Sequence, residues 1–316
     1  MFSICRKLPK VPKFLFHKLI EFLQIPSQIR HLSSTNYKVY FVHEGNVEIK
    51  LQPIGVSQFL SRQRFVQMQN AIKFSMRPNA EVQLRKIVFE LFQSNLIDKN
   101  KSVIDIGSWI GDNSLVWATF LKNNGTVYSV DPSPNNLLFV QKVASINSIN
   151  NLELIKAICS DTSNLPVEKI GSIDHAQFFT SNVSSRSAFL TTTLDDVIPF
   201  DKHTEIGLLH VDVEGFEEKV LLGAKSILMK SKPVVVFEQH INQDDISNII
   251  DFLSSQNYEF FMINEVLPGC NLDCRNFLAV NRENSFSGIV VKELKTAKSS
   301  AVWSAVPGQP LIQFEL

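Results

Sequence analysis

Short apolar runs recur through the middle of the chain, and polar, glycine-bearing turns separate them from longer stretches with helical spacing. The runs Val103 to Ile106, Thr126 to Val130, Leu152 to Ile158, Ile206 to Val213, Pro233 to Phe237, Tyr258 to Ile263 and Asn276 to Asn281 read as strands. Val82, Leu84, Ile87, Val88, Leu91 and Phe92 fall mostly on one side of a helix from Ala80 to Leu96. Further helices are expected from Ser57 to Phe74, from Glu217 through Met229, and from Asp244 to Ser255. Alternation of strand and helix implies an α/β fold, a doubly wound and largely parallel sheet, whose ligands sit at the carboxyl ends of the strands. Ahead of it, Tyr37 to Val42 and Val47 to Lys50 flank Gly45-Asn46 and read as a hairpin. Residues 162–187 read as an irregular insertion or hairpin, either lining a substrate pocket or serving as a plain connection. The division is a basic segment 1–35, a hairpin and helix extension 36–79, a main domain 80–284 and a tail 285–316 with no assignable pattern.

The first core strand carries the chemistry. Val103-Ile104-Asp105-Ile106 runs into Gly107-Ser108-Trp109-Ile110-Gly111, and Asp112, Asn113 and Ser114 are read as caps of the next helix. A dinucleotide fingerprint would place glycines and helix amides against a pyrophosphate. Here Asp105 opens the loop, and a carboxylate repels phosphate but suits an amino group. That favours S-adenosylmethionine, with its ammonium and sulfonium charges, and disfavours the alternative of a NAD-dependent oxidoreductase. Gly107, Ser108 and Gly111 are assigned to the cofactor, glycine being read as leaving it room. The second strand ends in Asp131-Pro132, where an acid can accept ribose hydroxyls, and the third leads to Ser160 and Asp161, placed at the adenine edge.

Charge removes other classes. Lys+Arg and Asp+Glu balance at 31 each, which speaks against a nucleic-acid partner. The 24 phenylalanines are spread along predicted strands and helices, as core residues are. Cys5, Cys159, Cys270 and Cys274 are too scattered for a disulfide framework, so a reducing, cytoplasmic location is the default and Cys270 and Cys274 are read as loop thiols, with a local disulfide or a metal as the alternative. Residues 1–35 hold Arg6, Lys7, Lys10, Lys13, Lys18 and Arg30 against Glu21. They suit a helix packed on the domain, a membrane-surface helix or a mitochondrial transit peptide, and are too short and charged to span a bilayer.

Val103 to Gly111, Val130 to Ser133, Thr193 to Asp196, His210-Val211-Asp212-Val213-Glu214-Gly215-Phe216-Glu217, Leu222-Gly223-Ala224 and Val236 to His240 resemble, in order, the motifs of the FkbM family of S-adenosylmethionine-dependent methyltransferases. The resemblance covers roughly residues 80–283. It implies a seven-stranded, Rossmann-like class I methyltransferase sheet with an antiparallel last strand, and O-methylation of a small molecule, sugar or polyketide-like acceptor. His210 stands where many members have lysine. An alternative is a methyltransferase-like domain without activity, serving as a binding module.

An alcohol acceptor needs a base, and Asp212, Glu214, Glu238 and His240 are the catalytic candidates at the fourth and fifth strand ends. His240 is the one whose ordinary pKa, about 6.5, suits that task at neutral pH, with a carboxylate to orient it. In a second arrangement Asp212, Glu238 and His240 hold a divalent metal that activates the acceptor. His210 lies in phase with Asp212 and is read as its partner or as a satisfied core histidine. Glu81 is read as a helix N-terminal acid favoured by the dipole.

Overall fold

The computed structural model of the protein describes residues 37–41, 44–51, 81–121, 125–170, 177–180, 189–240, 246–264, 274–284 and 311–313. The basic segment 1–35 and the helix expected over 57–74 lie outside these residues. The hairpin is present as β1 (Tyr37–Phe41) and β2 (Val47–Leu51), paired antiparallel. The core then runs α1 (Val82–Gln93), β3 (Ser102–Ile106), α2 (Asp112–Phe120), β4 (Val127–Val130), α3 (Pro134–Ile146) and β5 (Leu152–Ile155). The three strands β6 (Pro166–Ile170), β7 (Gln177–Thr180) and β8 (Phe189–Leu190) form a separate antiparallel sheet. After the single turn α4 (Leu194–Val197) come β9 (Ile206–Val211), α5 (Glu217–Leu222), α6 (Lys225–Ser231), β10 (Val234–His240), α7 (Ser247–Ser255), β11 (Tyr258–Ile263) and β12 (Cys274–Asn281).

The main sheet has the order β13-β11-β12-β10-β9-β3-β4-β5. Strands β5, β4, β3, β9 and β10 run parallel, and β12 is antiparallel to both of its neighbours. This is the expected doubly wound, seven-stranded α/β sheet, with one addition. The tail contributes β13 (Leu311–Gln313), which pairs along β11 and extends the sheet. No apolar pattern announced it, because a three-residue edge strand is held mainly by backbone hydrogen bonds.

The strands of the sheet centre read as continuous apolar runs because both faces are covered. On one side Val103, Leu208, Val234, Val236, Leu278 and Val280 pack under Leu84, Val88, Leu91 and Phe92 of α1 and Trp117 of α2. On the other Ile104, Ile106, Leu209, Val211, Val235 and Phe237 meet Val220, Leu221, Ile227, Ile249 and Leu253 from α5, α6 and α7. The helix expected through Met229 is broken at Gly223. A side chain there would stand 2.0 Å from the Ser160 carbonyl oxygen, so the chain must turn where it crosses the end of the third strand.

The hairpin docks on the core through Ile49 and Leu51, which pack with Val116, Val140 and Val143. Asn147 closes its edge by accepting from the Lys50 amide at 2.8 Å and donating to the Lys50 carbonyl at 2.9 Å. A buried ion cluster adds to this. Arg85 on α1 donates to Asp112 at 2.8 Å, Asn113 at 2.8 Å and Glu44 at 3.3 Å, so it joins hairpin, first helix and cofactor-loop helix. The expected caps of α2 are thereby corrected. Its N-cap is Gly111, without a side-chain cap, because Asp112 and Asn113 are drawn to the buried guanidinium and Ser114 to Asp105.

Arg85 stays charged beside the closer Asp112, and Glu44 carries the burial penalty, which raises its carboxyl from 4.5 to about 7 against the pull of Arg85. A carboxyl raised in the folded state favours folding below its unfolded value, and that contribution is lost as pH climbs through the folded value. Between about pH 4.5 and pH 7.5 Glu44 should therefore remove up to about 3 kcal/mol of stability. Denaturant titrations at both ends of that window check this. Glu44→Gln is expected to flatten the pH dependence, and equal slopes for the two proteins would place its origin elsewhere.

Candidate active site

The apolar face under α1 turns polar at the carboxyl ends of its strands. Following the period of two, Val103 is succeeded by Asp105, Leu208 by His210 and Asp212, and Val236 by Glu238 and His240. On antiparallel β12 the same face runs from Leu278 to Asn276 and Cys274, with Asn276 across from Glu238 and Cys274 across from His240. Alternation alone thus brings the expected residues of β3, β9 and β10 together.

Asp105 is buried behind the glycine loop. One oxygen accepts from Ser114, and the other lies 2.8 Å from His210 Nδ1. His210 therefore pairs with Asp105, directly opposite it in the strand register, and not with Asp212 as its phase on β9 suggested. The ring of His210 stands edge-on to Trp117 at 5.2 Å. Burial works against its protonation, but the hydrogen bond and charge of Asp105, with Asp212 and Glu81, outweigh that and raise its pKa. The shift favours the protonated form of His210, which would place a positive charge where lysine would fix one.

The loop after β3 passes through left-handed conformations at Gly107 (φ 78°), Trp109 (φ 45°) and Gly111 (φ 74°). Gly107 lies against the end of β9: a β-carbon there would be 1.6 Å from the Asp212 carbonyl oxygen. The reading that this glycine leaves volume for a cofactor is corrected accordingly, since protein backbone occupies that direction. Ser108 accepts a hydrogen bond from Ser129 at 2.8 Å. Asp131, beside Pro132, accepts from the Trp109 amide at 3.0 Å, the Ser133 amide at 2.7 Å and Asn136 Nδ2 at 3.1 Å. It is the clamp that shapes the loop. Ser160 donates to Asp161 at 2.9 Å, and Asp161 is exposed at the outer end of the crevice.

The acids of the fourth and fifth strand ends form two groups that share Glu238. In the first, Glu81, Asp212 and Glu238 each place an oxygen within 4.8 Å of the others. At that distance two unit charges repel by about 3 kcal/mol at an effective dielectric of 20. Burial and the adjacent Asp212 hold the Glu238 carboxyl at about 11, and burial with Glu81 raises Asp212 to about 6, so Glu238 keeps the pair's proton at neutral pH. Glu81 was missed as a site residue. It precedes α1 with φ 51° and makes no cap hydrogen bond; its side chain instead accepts from Asn276 Nδ2 at 3.1 Å.

In the second group His240 Nε2 lies 3.3 Å from Glu214 and 4.0 Å from Glu238, and Nδ1 lies 3.4 Å from the Cys274 sulfur. Glu214, the carboxylate beside His240, is also left-handed, with φ 55°. Of the non-glycine residues in that region, Glu81, Trp109 and Glu214 adjoin or belong to the candidate site residues, as strained backbone at functional sites often does. Glu217 holds the connecting turn by accepting from the amides of Val213 at 2.9 Å and Gly215 at 3.0 Å. Cys274 is disulfide-bonded and not a loop thiol, its partner lying outside the described residues. Asp212, Glu238 and His240 do not converge as one triad: His240 turns to Glu214 and Cys274, and Glu81 takes its place beside the two acids.

Residues 105–260 match the family model described as the methyltransferase FkbM domain. The chain carries a FkbM methyltransferase domain. Solved structures similar to it include a methyltransferase FkbM from Methylobacillus flagellatus KT, 15% identical over 63% of this chain and 54% of that one, with a TM-score of 0.43. Another is precorrin-6y C5,15-methyltransferase from Geobacter metallireducens GS-15, 14% identical over 60% of this chain and 88% of that one, with a TM-score of 0.36. The chain thus spans about half the length of the Methylobacillus protein. No curated protein matches it.

The FkbM domain implies S-adenosylmethionine as cofactor, and the residues present fit that molecule. The first turn of α2 has no side-chain cap, leaving amide donors suited to an amino-acid carboxylate. The acids around Asp212 suit the positive charge at the cofactor's methionine end. Among the described residues, no helix is long and apolar enough to cross a membrane.

Proposed function

We propose that the protein is an S-adenosylmethionine-dependent O-methyltransferase acting on a hydroxyl of a small molecule, sugar or polyketide-like acceptor. The observation that carries this reading is the buried His240, held between Glu214 and Cys274 at the strand ends, on the same side as the glycine loop. Loop residues Gly107, Ser108 and Gly111 would hold the methionine end, Asp131 and Pro132 the ribose, and Ser160 with Asp161 the adenine. Bound there, the cofactor supplies an electrophilic methyl group on a good leaving thioether, so orientation contributes much of the acceleration.

What remains for the chain is the proton of the acceptor. With its own proton on Nδ1, facing the Cys274 sulfur, His240 presents the Nε2 lone pair to the hydroxyl. The Glu214 carboxylate, 3.3 Å from the same nitrogen, then stabilises the imidazolium by its charge once the proton has moved. Glu238, protonated at neutral pH, can donate to the acceptor oxygen but cannot serve as the base. Asp212 keeps that proton in place.

Incubation of the full chain with methyl-tritiated S-adenosylmethionine and a cell extract tests the proposal. The expected outcome is label in a small product that resists mild base, as an ether does. Label in an amine or in a carbon-bound methyl would replace the O-methyl assignment, and no transfer with intact binding of S-adenosylhomocysteine would support a binding module.

A further inference from the structure

We propose that Glu81, Asp212, Glu238 and Asn276 form a binding site for one divalent cation of the oxygen-preferring kind, such as magnesium or manganese. The three acids come from separate elements, the start of α1, the end of β9 and β10, yet one oxygen from each falls within 4.8 Å of the others. Asn276, on β12, supplies the independent observation. It is 1% exposed, its Nδ2 donates to Glu81 at 3.1 Å, and the Oδ1 of the same amide has no hydrogen-bond partner. A buried amide oxygen without a donor is costly, and three carboxylates brought so close repel one another whenever they are ionised. A metal ion answers both needs at once.

The donor chemistry selects the ion. Three carboxylates and an amide oxygen suit hard cations, which take oxygen ligands at about 2.0–2.6 Å. The neighbouring group of Glu238, His240 and Cys274 also converges within 4.8 Å, but the disulfide at Cys274 removes the thiolate that a softer metal would need. Asp212 is partly exposed while Glu81, Glu238 and Asn276 are buried, so it marks the side from which an ion enters.

The test needs neither cofactor nor acceptor, so its failure and failure of the methyl-transfer reading are separable. The full chain, stripped with a chelator, is titrated with Mn²⁺, and free ion is followed by electron paramagnetic resonance, with Mg²⁺ as competitor. One saturable Mn²⁺ per chain is expected, displaced by Mg²⁺. Glu81→Gln and Asn276→Ala should each weaken it by at least about tenfold, while Glu205→Gln on the surface should leave it unchanged. Melting curves establish that the variants fold, and Asp212→Asn, at the partly exposed ligand, gives the same readout should either collapse. No saturable binding at millimolar Mn²⁺, or binding that survives these substitutions in folded protein, would overturn the assignment.

Discussion

His240→Ala is expected to lower methyl transfer to a hydroxyl by about 10²- to 10⁴-fold at neutral pH while leaving the affinity for S-adenosylhomocysteine unchanged. The separation of the two effects follows from position. His240 ends β10, with Glu214 at 3.3 Å and the Cys274 sulfur at 3.4 Å, whereas the loop assigned to the cofactor is shaped by Asp131 and the end of β3. Removing the imidazole takes away the group that receives the acceptor's proton and leaves that loop intact. Single-turnover rates measured beside calorimetric binding distinguish the outcomes. Partial recovery of the rate on adding free imidazole would identify the missing function as proton transfer. A variant that retains full turnover moves the base elsewhere, first to Asp212, whose raised pKa still lets it accept a proton near neutrality.

Much of this arrangement was legible in the chain. Continuous apolar strands with acids at their ends, Asp105, Asp131, Asp212 and Glu238, gave both the doubly wound sheet and the edge on which the site lies. Period-two reasoning was enough to put His210, Asp212, Glu238 and His240 on one face. It could not say which neighbour each would choose, because partner choice depends on strand order: β9 lies beside β3, so His210 meets Asp105 across the register before it can turn to Asp212. Glu81 was obscured for a related reason. From sequence it is an acid at a helix start, and only the packing of α1 over β10 and β12 turns it toward Asn276. The capping residues of α2 misled because a buried arginine 27 and 28 positions earlier in the chain, Arg85, outcompetes local backbone amides for Asp112 and Asn113. Long-range charge of that kind leaves no local pattern.

Replacing Gly107 by alanine is expected to destabilise the protein before any ligand is added, by more than about 3 kcal/mol, with a melting point lower by about 6 °C or more. Two costs combine. With φ at 78° the residue occupies the left-handed region, and its β-carbon would stand 1.6 Å from the Asp212 carbonyl oxygen, which is backbone and has no rotamer with which to yield. Asp212 is itself tied to β3, its amide donating to the Ile106 carbonyl at 3.0 Å, so the β3 loop and the β9 end must separate together. That movement would carry the Asp212 carboxylate away from Glu81 and Glu238, so weaker Mn²⁺ binding and slower turnover should accompany the lower melting point. If glycine were required only to admit the cofactor, the ligand-free melting point would stay at the wild-type value and affinity for S-adenosylhomocysteine alone would fall. Melting curves with and without that ligand therefore decide whether Gly107 serves the contact between two strand ends or the cofactor's volume.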